Sequence, residues 1–146
     1  KIGEKIEVSK YGKLEAPYVV NYNHPGFRLA SMAALSKKEI TNVTEIAKDI
    51  AMQIAAMSPV SLDRDDCDPS IVEKEKEIAV ELARNEGKPE NMLEKIALGR
   101  VEKFFKESTL LNQEFIKDNK KTVKQFLTET DKDLKVTAFH RFQLSN

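Results

Sequence analysis

Residues 68–107 restrict most sharply what this chain can become, because they read as two charge-dense helices whose apolar stripes are too narrow to be buried in a core. From Pro69 onward, Val72, Glu75, Ile78, Ala79 and Leu82 lie along one side of a helix otherwise filled with Glu, Lys and Arg. After a break at Gly87-Lys88-Pro89, the residues Met92, Leu93, Ile96, Ala97, Val101, Phe104 and Phe105 repeat the stripe. Gly87 suits the left-handed position that closes a helix, and Pro89 suits the start of the next. Two narrow seams joined by a short break predict an antiparallel two-helix coiled-coil arm. With some 18 residues per helix, at about 1.5 Å per residue, the arm is roughly 25 to 30 Å long. Phe104 and Phe105, its heaviest apolar residues, are expected to fix its base in the main core.

The flanking sequence supplies something for such an arm to stand on. Lys5 to Glu15 places Ile6, Val8 and Leu14 among charges and reads as a strand, with Gly12 weakening its end. "YVVNYNHPGFRLASMAAL" sets β-branched and aromatic residues on either side of Asn23, His24, Pro25 and Gly26, a hairpin signal with strands at about 18 to 22 and 28 to 35. From Thr44, a plausible N-cap, the period becomes helical: Ile46, Ile50, Ile54 and Met57, with Ala47, Ala51 and Ala55, form a wide stripe that ends at Ser58-Pro59. "TLLNQEFIKDNKKTV" reads as an irregular connection, and Thr122 caps a short helix carrying Val123, Phe126 and Leu127. In the last strand, Leu134, Val136, Ala138, His140, Phe142 and Leu144 share one face, while Lys135, Thr137, Phe139, Arg141 and Gln143 share the other. The predicted class is α+β: an antiparallel β-sheet packed with helices, with the two-helix arm inserted mid-chain.

Little in the chain points to covalent chemistry. "DRDDCDPS" fails as a calcium loop, because the sixth position from Asp63 is Asp68 in place of Gly and the twelfth is Lys74 in place of Glu. Asp68 is better read as the cap of the helix that opens at Pro69. No phosphate-cradling Gly-rich loop, nucleophile elbow or paired Cys motif is present, so no enzyme activity, metal or cofactor is expected. Lys and Arg total 24, as do Asp and Glu, which gives no net field for nucleic acid or an anionic membrane. Cys67 has no second cysteine to pair with, and no apolar stretch approaches the roughly 20 residues that span a bilayer. A soluble intracellular chain is the expectation. An opening on Lys directly in strand-like sequence, "KIGEKIEVSK", suggests a piece of something longer.

One set of segments carries more than pattern. "KIGEKIEV", "EIAKDIAMQIAAMSPVSLDRDD", "VEKEKEIA", "NEGKPENMLEKIALGRVEKFFKE", "LLNQEFIKDNKKTV" and "VTAFHRF", in that order and through almost the whole chain, resemble translation elongation factor Ts of bacteria or organelles. The resemblance implies a guanine nucleotide exchange factor for the GTPase elongation factor Tu. Such a factor promotes GDP release by binding the nucleotide-free state of its partner more tightly than the GDP-bound state, with no direct nucleotide binding of its own. It implies a cytoplasmic location in a bacterium, or the matrix of an organelle. It also implies a division into the end of a first core subdomain (1–16), a discontinuous second core subdomain (17–67 and 108–146) and the coiled-coil insertion (68–107).

The resemblance carries five positions over as contacts with elongation factor Tu. Ile2 and Gly3, in "KIGE", match residues the family sets against the GTPase domain. His24 matches a histidine at the family's hairpin tip, although His-Pro-Gly-Phe here has an extra residue relative to the commoner His-Gly form. Ile116 and Lys117, in "EFIKD", match a further contact pair. The family's Thr-Asp-Phe-Val wedge and its small N-terminal helical module have no counterpart in these residues, since Thr130-Asp131 is followed by Lys132 and lies elsewhere. Weak binding and poor exchange by these 146 residues alone are therefore expected. Two other readings use the arm itself, as an RNA-binding surface through Lys74, Lys76, Arg84, Lys88 and Lys95, or as a homodimer contact through its seam. Against the first, those cations alternate with Glu and no aromatic residues interleave for base stacking.

Overall fold

The computed structural model describes Val8 and residues 10–144. A β-hairpin, Tyr18–Asn23 (β1) and Leu29–Leu35 (β2), leads to helix α1, Val43–Met57. Two further helices follow, Pro69–Asn85 (α2) and Glu90–Ser108 (α3). The small strands Glu114–Phe115 (β3) and Asp118–Thr122 (β4) precede helix α4, Val123–Thr130, and the chain closes on Val136–Gln143 (β5). β5 returns to the free side of β2, making an antiparallel sheet of order β1-β2-β5 with α1 against one face. The α+β class and the antiparallel sheet stand as expected. Among the described residues, no helix is long and apolar enough to cross a membrane.

The core forms where the wide stripe of α1 meets the sheet and the elements that follow the arm. Ile50, Ile54, Leu35, Leu110 and Val123 are fully buried there. Burying each large aliphatic side chain stabilises the fold by about 1.5 to 3 kcal/mol. Thr44 is not the N-cap of α1. That place falls to Asn42 in a left-handed conformation, φ 61°, while the Thr44 hydroxyl accepts a hydrogen bond from Tyr18 at 3.0 Å and ties helix to sheet. The cap predicted at Thr122 is present: its hydroxyl accepts from the N–H of Gln125, whose side chain accepts from the N–H of Thr122 in return.

Three sequence readings change. The described part of the strand expected at Lys5 to Glu15 is not a strand, and the rest lies outside the described residues. Gly12 marks a close approach instead: a Cβ there would sit 2.8 Å from the Phe142 ring and 3.2 Å from the ring of His140. The "TLLNQEFIKDNKKTV" stretch is not irregular, since it builds a short 3-10 turn, Leu110–Asn112, and the β3–β4 hairpin. In β5, strict alternation breaks at a β-bulge. Val136 pairs with Leu35 but Ala138 pairs with Ala34, leaving Thr137 as the extra residue. Leu134 and Val136 enter the core, yet beyond the bulge it is Phe139 that packs on the core, and Arg141 whose Nε donates to the Ala55 carbonyl of α1. His140 and Phe142 turn to the opposite face, their rings stacked 5.8 Å apart.

The arm is built as two helices paired with each other. Asp68 caps α2 by accepting from the Ser70 N–H at 2.9 Å, and Pro69 is its first residue. At the tip, Gly87 has φ 73°, and Lys88 N–H reaches the Ala83 carbonyl while Gly87 N–H reaches that of Arg84, the Schellman pattern. Ala79 and Ala83 of α2 are buried, as are Leu93, Ala97 and Val101 of α3. Ile78 and Leu82, expected on the seam, are 40% and 46% exposed, because small alanines bring the helices close and leave the larger side chains on the flank. Phe104 and Phe105 do not anchor the base in the core. Both stay half-buried outside it, with the Arg64 guanidinium 5.2 Å from the Phe105 ring centroid, and the anchor is Leu110.

Candidate functional site

The hairpin tip is shaped by four residues. His24 carbonyl accepts from Phe27 N–H at 3.0 Å across Pro25 and Gly26, and Gly26 takes φ 95°, as a type II turn requires. Phe27 follows at φ 53°, an uncommon conformation for an aromatic residue, and is 83% exposed. Sequence reading missed Phe27, although an aromatic residue directly after Pro-Gly was the signal for it. His24 itself is exposed, with Nδ1 3.1 Å from the Tyr22 hydroxyl. That contact and the tilted Tyr22 ring, 6.2 Å away between centroids, set the histidine against its own strand.

Ile116 and Lys117 are the two-residue connection of the β3–β4 hairpin, since Phe115 pairs with Asp118. Both are exposed, Ile116 at 41%. Lys117 Nζ lies 2.5 Å from the Asp49 carboxylate of α1. That hydrogen bond, opposed by partial burial and reinforced by the charges of Asp49 and Glu45, raises the ammonium above the ordinary lysine range. The Ile116 N–H donates to the side-chain oxygen of Gln53, one helical turn along α1 from Asp49, at 2.9 Å. Gln53 is completely buried, and its amide nitrogen donates to the Glu114 carbonyl at 3.0 Å and to the Gln113 side-chain oxygen at 3.2 Å. Gln113 in turn donates to the carbonyls of Met57 and Glu107, near the ends of α1 and α3. Gln113 thus satisfies carbonyls that the two helix ends leave open, while Gln53 holds Gln113 and the Glu114 carbonyl.

The structure therefore carries the two exposed sites on different supports. His24 sits at the end of the β1–β2 hairpin, and Ile116-Lys117 rests directly on α1. No hydrogen bond or ion pair among the described residues joins one to the other. Ile2 and Gly3 lie outside the described residues. The sequence reading also missed Asp49 and Gln53. Their signal was two polar residues four apart on a helix whose apolar stripe leaves few such positions beside the core.

The acidic turn is taken up with its own backbone. Asp63 accepts from Arg64 N–H at 2.8 Å and from the Asn112 side chain at 2.7 Å, and Asp66 accepts from Asp63 N–H. Among the described residues, no group of three His, Cys, Asp or Glu side chains is placed to hold a metal ion. What the exposed sites offer is recognition: a histidine, an aromatic ring, an aliphatic side chain and a cation, each on a backbone fixed by hydrogen bonds.

Comparison with known proteins adds a broader frame. The family described as "Elongation factor TS" matches residues 1–146. The chain is 52% identical over 145 residues to the elongation factor Ts of Cytophaga hutchinsonii, covering 99% of this chain and 52% of that protein. It is 47% identical over 143 residues to that of Christiangramia forsetii (98% and 52%) and 44% identical over 148 residues to that of Thermobifida fusca (98% and 51%). The chain thus spans about half the length of the curated relatives it matches.

Proposed function

Since the chain belongs to the elongation factor Ts family, we propose that it is a binding portion of a guanine nucleotide exchange factor for elongation factor Tu, acting in the cytoplasm. The family match along the whole chain carries this reading, and the exposed His24 and Ile116-Lys117 support it locally. The mechanism needs no bond to be made or broken by the factor. A surface that prefers the nucleotide-free GTPase over its GDP-bound form must, by linkage, weaken GDP binding by the same factor as GDP weakens it. Ile2, Gly3, His24, Ile116 and Lys117 are the proposed contacts. Residues 17–67 and 108–146 form the supporting unit, 1–16 the end of another, and 68–107 an insertion.

These 146 residues include no counterpart of the family's Thr-Asp-Phe-Val wedge. On their own they are expected to capture nucleotide-free elongation factor Tu weakly and to promote GDP release from it poorly. Release of a fluorescent GDP analogue from elongation factor Tu tests this. Acceleration equal to that of a full-length factor would overturn the reading of a partial module. In a pull-down with nucleotide-free elongation factor Tu, His24→Ala is expected to reduce capture, and unchanged capture would remove His24 from the contact set.

One observation favours a further role for the arm as a homodimer contact. Its seam is filled within the hairpin, but Ile71, Ile78 and Leu82 recur at spacings of seven and four and stay exposed. Sedimentation of an arm-deleted variant decides it: an unchanged oligomeric state excludes the contact.

A further inference from the structure

The Ile116-Lys117 turn is held in a way that its own sequence does not provide. Two-residue hairpin loops favour mirror-image turns with positive φ, usually built from Gly or Asn, because these match strand twist. Ile116 and Lys117 both keep negative φ, and the β3–β4 register shifts immediately before them, between Glu114 and Phe115. A turn of this kind between strands of two and five residues has little intrinsic reason to persist. Its shape comes from outside, through the hydrogen bond from Ile116 N–H to Gln53 and the ion pair of Lys117 with Asp49.

We propose that Gln53 and Asp49 are positioning residues for partner binding, holding the Ile116-Lys117 turn in its binding shape from one face of α1. This rests on the reading of Ile116 and Lys117 as contacts. Each holder fixes a different part of the turn. The Gln53 amide fixes the backbone at Ile116 and, through Glu114, the strand that enters the turn. The Asp49 carboxylate, 89% covered at its side chain, fixes the cation, whose own side chain is still 48% accessible to a partner. Ordering the turn before the encounter removes a cost that binding would otherwise have to meet. The buried Gln53 also cannot be replaced by an apolar residue without leaving the Glu114 carbonyl and the Ile116 N–H short of partners.

A double-mutant cycle separates positioning from general stability. Affinity for nucleotide-free elongation factor Tu is measured for the wild-type chain, Gln53→Met, the Ile116→Ala/Lys117→Ala pair and the triple variant, with folding checked by circular dichroism. Gln53→Met is expected to weaken binding about five- to tenfold alone and less than about twofold in the background lacking both contact side chains. Hydrogen exchange of the Ile116 amide is expected to speed up in Gln53→Met while that of Ile50 stays slow. Fully additive losses, or wild-type affinity for Gln53→Met, would overturn the positioning role and leave the contact reading intact. Wild-type affinity for the Ile116→Ala/Lys117→Ala pair would sink the contact reading and the positioning role together. If Gln53→Met does not fold, Asp49→Asn is run against Lys117→Ala in the same cycle, with additivity again the overturning result.

Discussion

Asp131 accepts the backbone N–H of Asp133 and the ammonium of Lys37 at 3.0 Å, and these hydrogen bonds hold its carboxyl below the usual aspartate range. The Asp68 carboxyl is lowered by the backbone and side chain of Ser70. For Asp63, partial burial works to raise the carboxyl, but the Arg64 N–H, the Asn112 amide and nearby Lys124 and Arg64 outweigh it and the net direction is down. A carboxyl depressed in the folded state contributes stability that is present above the unfolded value, near 3.9, and is lost as pH falls through the folded value. Thermal unfolding followed at pH 7 and pH 3 is therefore expected to show a marked loss at pH 3. Asp131→Asn should start less stable at pH 7 and lose less on acidification; an equal acid loss in both proteins would contradict the assignment. The Asp68 cap was legible in the sequence because a cap, a proline and a helical stripe are neighbours along the chain. The pairing of Asp131 with Lys37 was not, because 94 residues separate them.

At the scale of elements, local signals located the four α-helices and the β1–β2 hairpin but not the β3–β4 hairpin, and the apolar face was read correctly on α1 and misassigned in part on α2 and β5. On β5 the reading by alternation held up to Val136 and then inverted, since a bulge at Thr137 leaves no mark that a period of two can register. On α2 the reading placed Ile78, Ala79 and Leu82 on the seam, but of these only Ala79 is buried, and Ala83 completes it. This makes a specific prediction. Ala83→Leu adds volume where the backbones come close, and overpacking of that kind costs about 1 to 3 kcal/mol. Hydrogen exchange should quicken along α2 and α3 and remain unchanged in α1 and β2; protection lost equally throughout would show that arm and core unfold as one unit. The β3–β4 turn was likewise half legible, with Ile116 and Lys117 proposed by resemblance and their support on α1 hidden by a separation of more than 60 residues.

For the whole molecule, α1 is the common support, packed on the sheet by one side and holding the β3–β4 turn by another. The arm stands apart from that arrangement, since no residue of α2 or α3 belongs to the main core cluster. Its two ends return to the same place. Ser61 and Thr109 form an isolated parallel bridge, Val60 N–H reaches the Ser108 carbonyl at 2.8 Å, and Leu110 N–H reaches that of Ser61 at 2.9 Å. In hereditary terms, a segment that leaves and re-enters a fold at one doorway can be acquired, lengthened, shortened or discarded by a single genetic event without rewriting the remaining codons. Shortening or removing the arm is then expected to leave α1 and the sheet as they are, because the two ends it would join already meet.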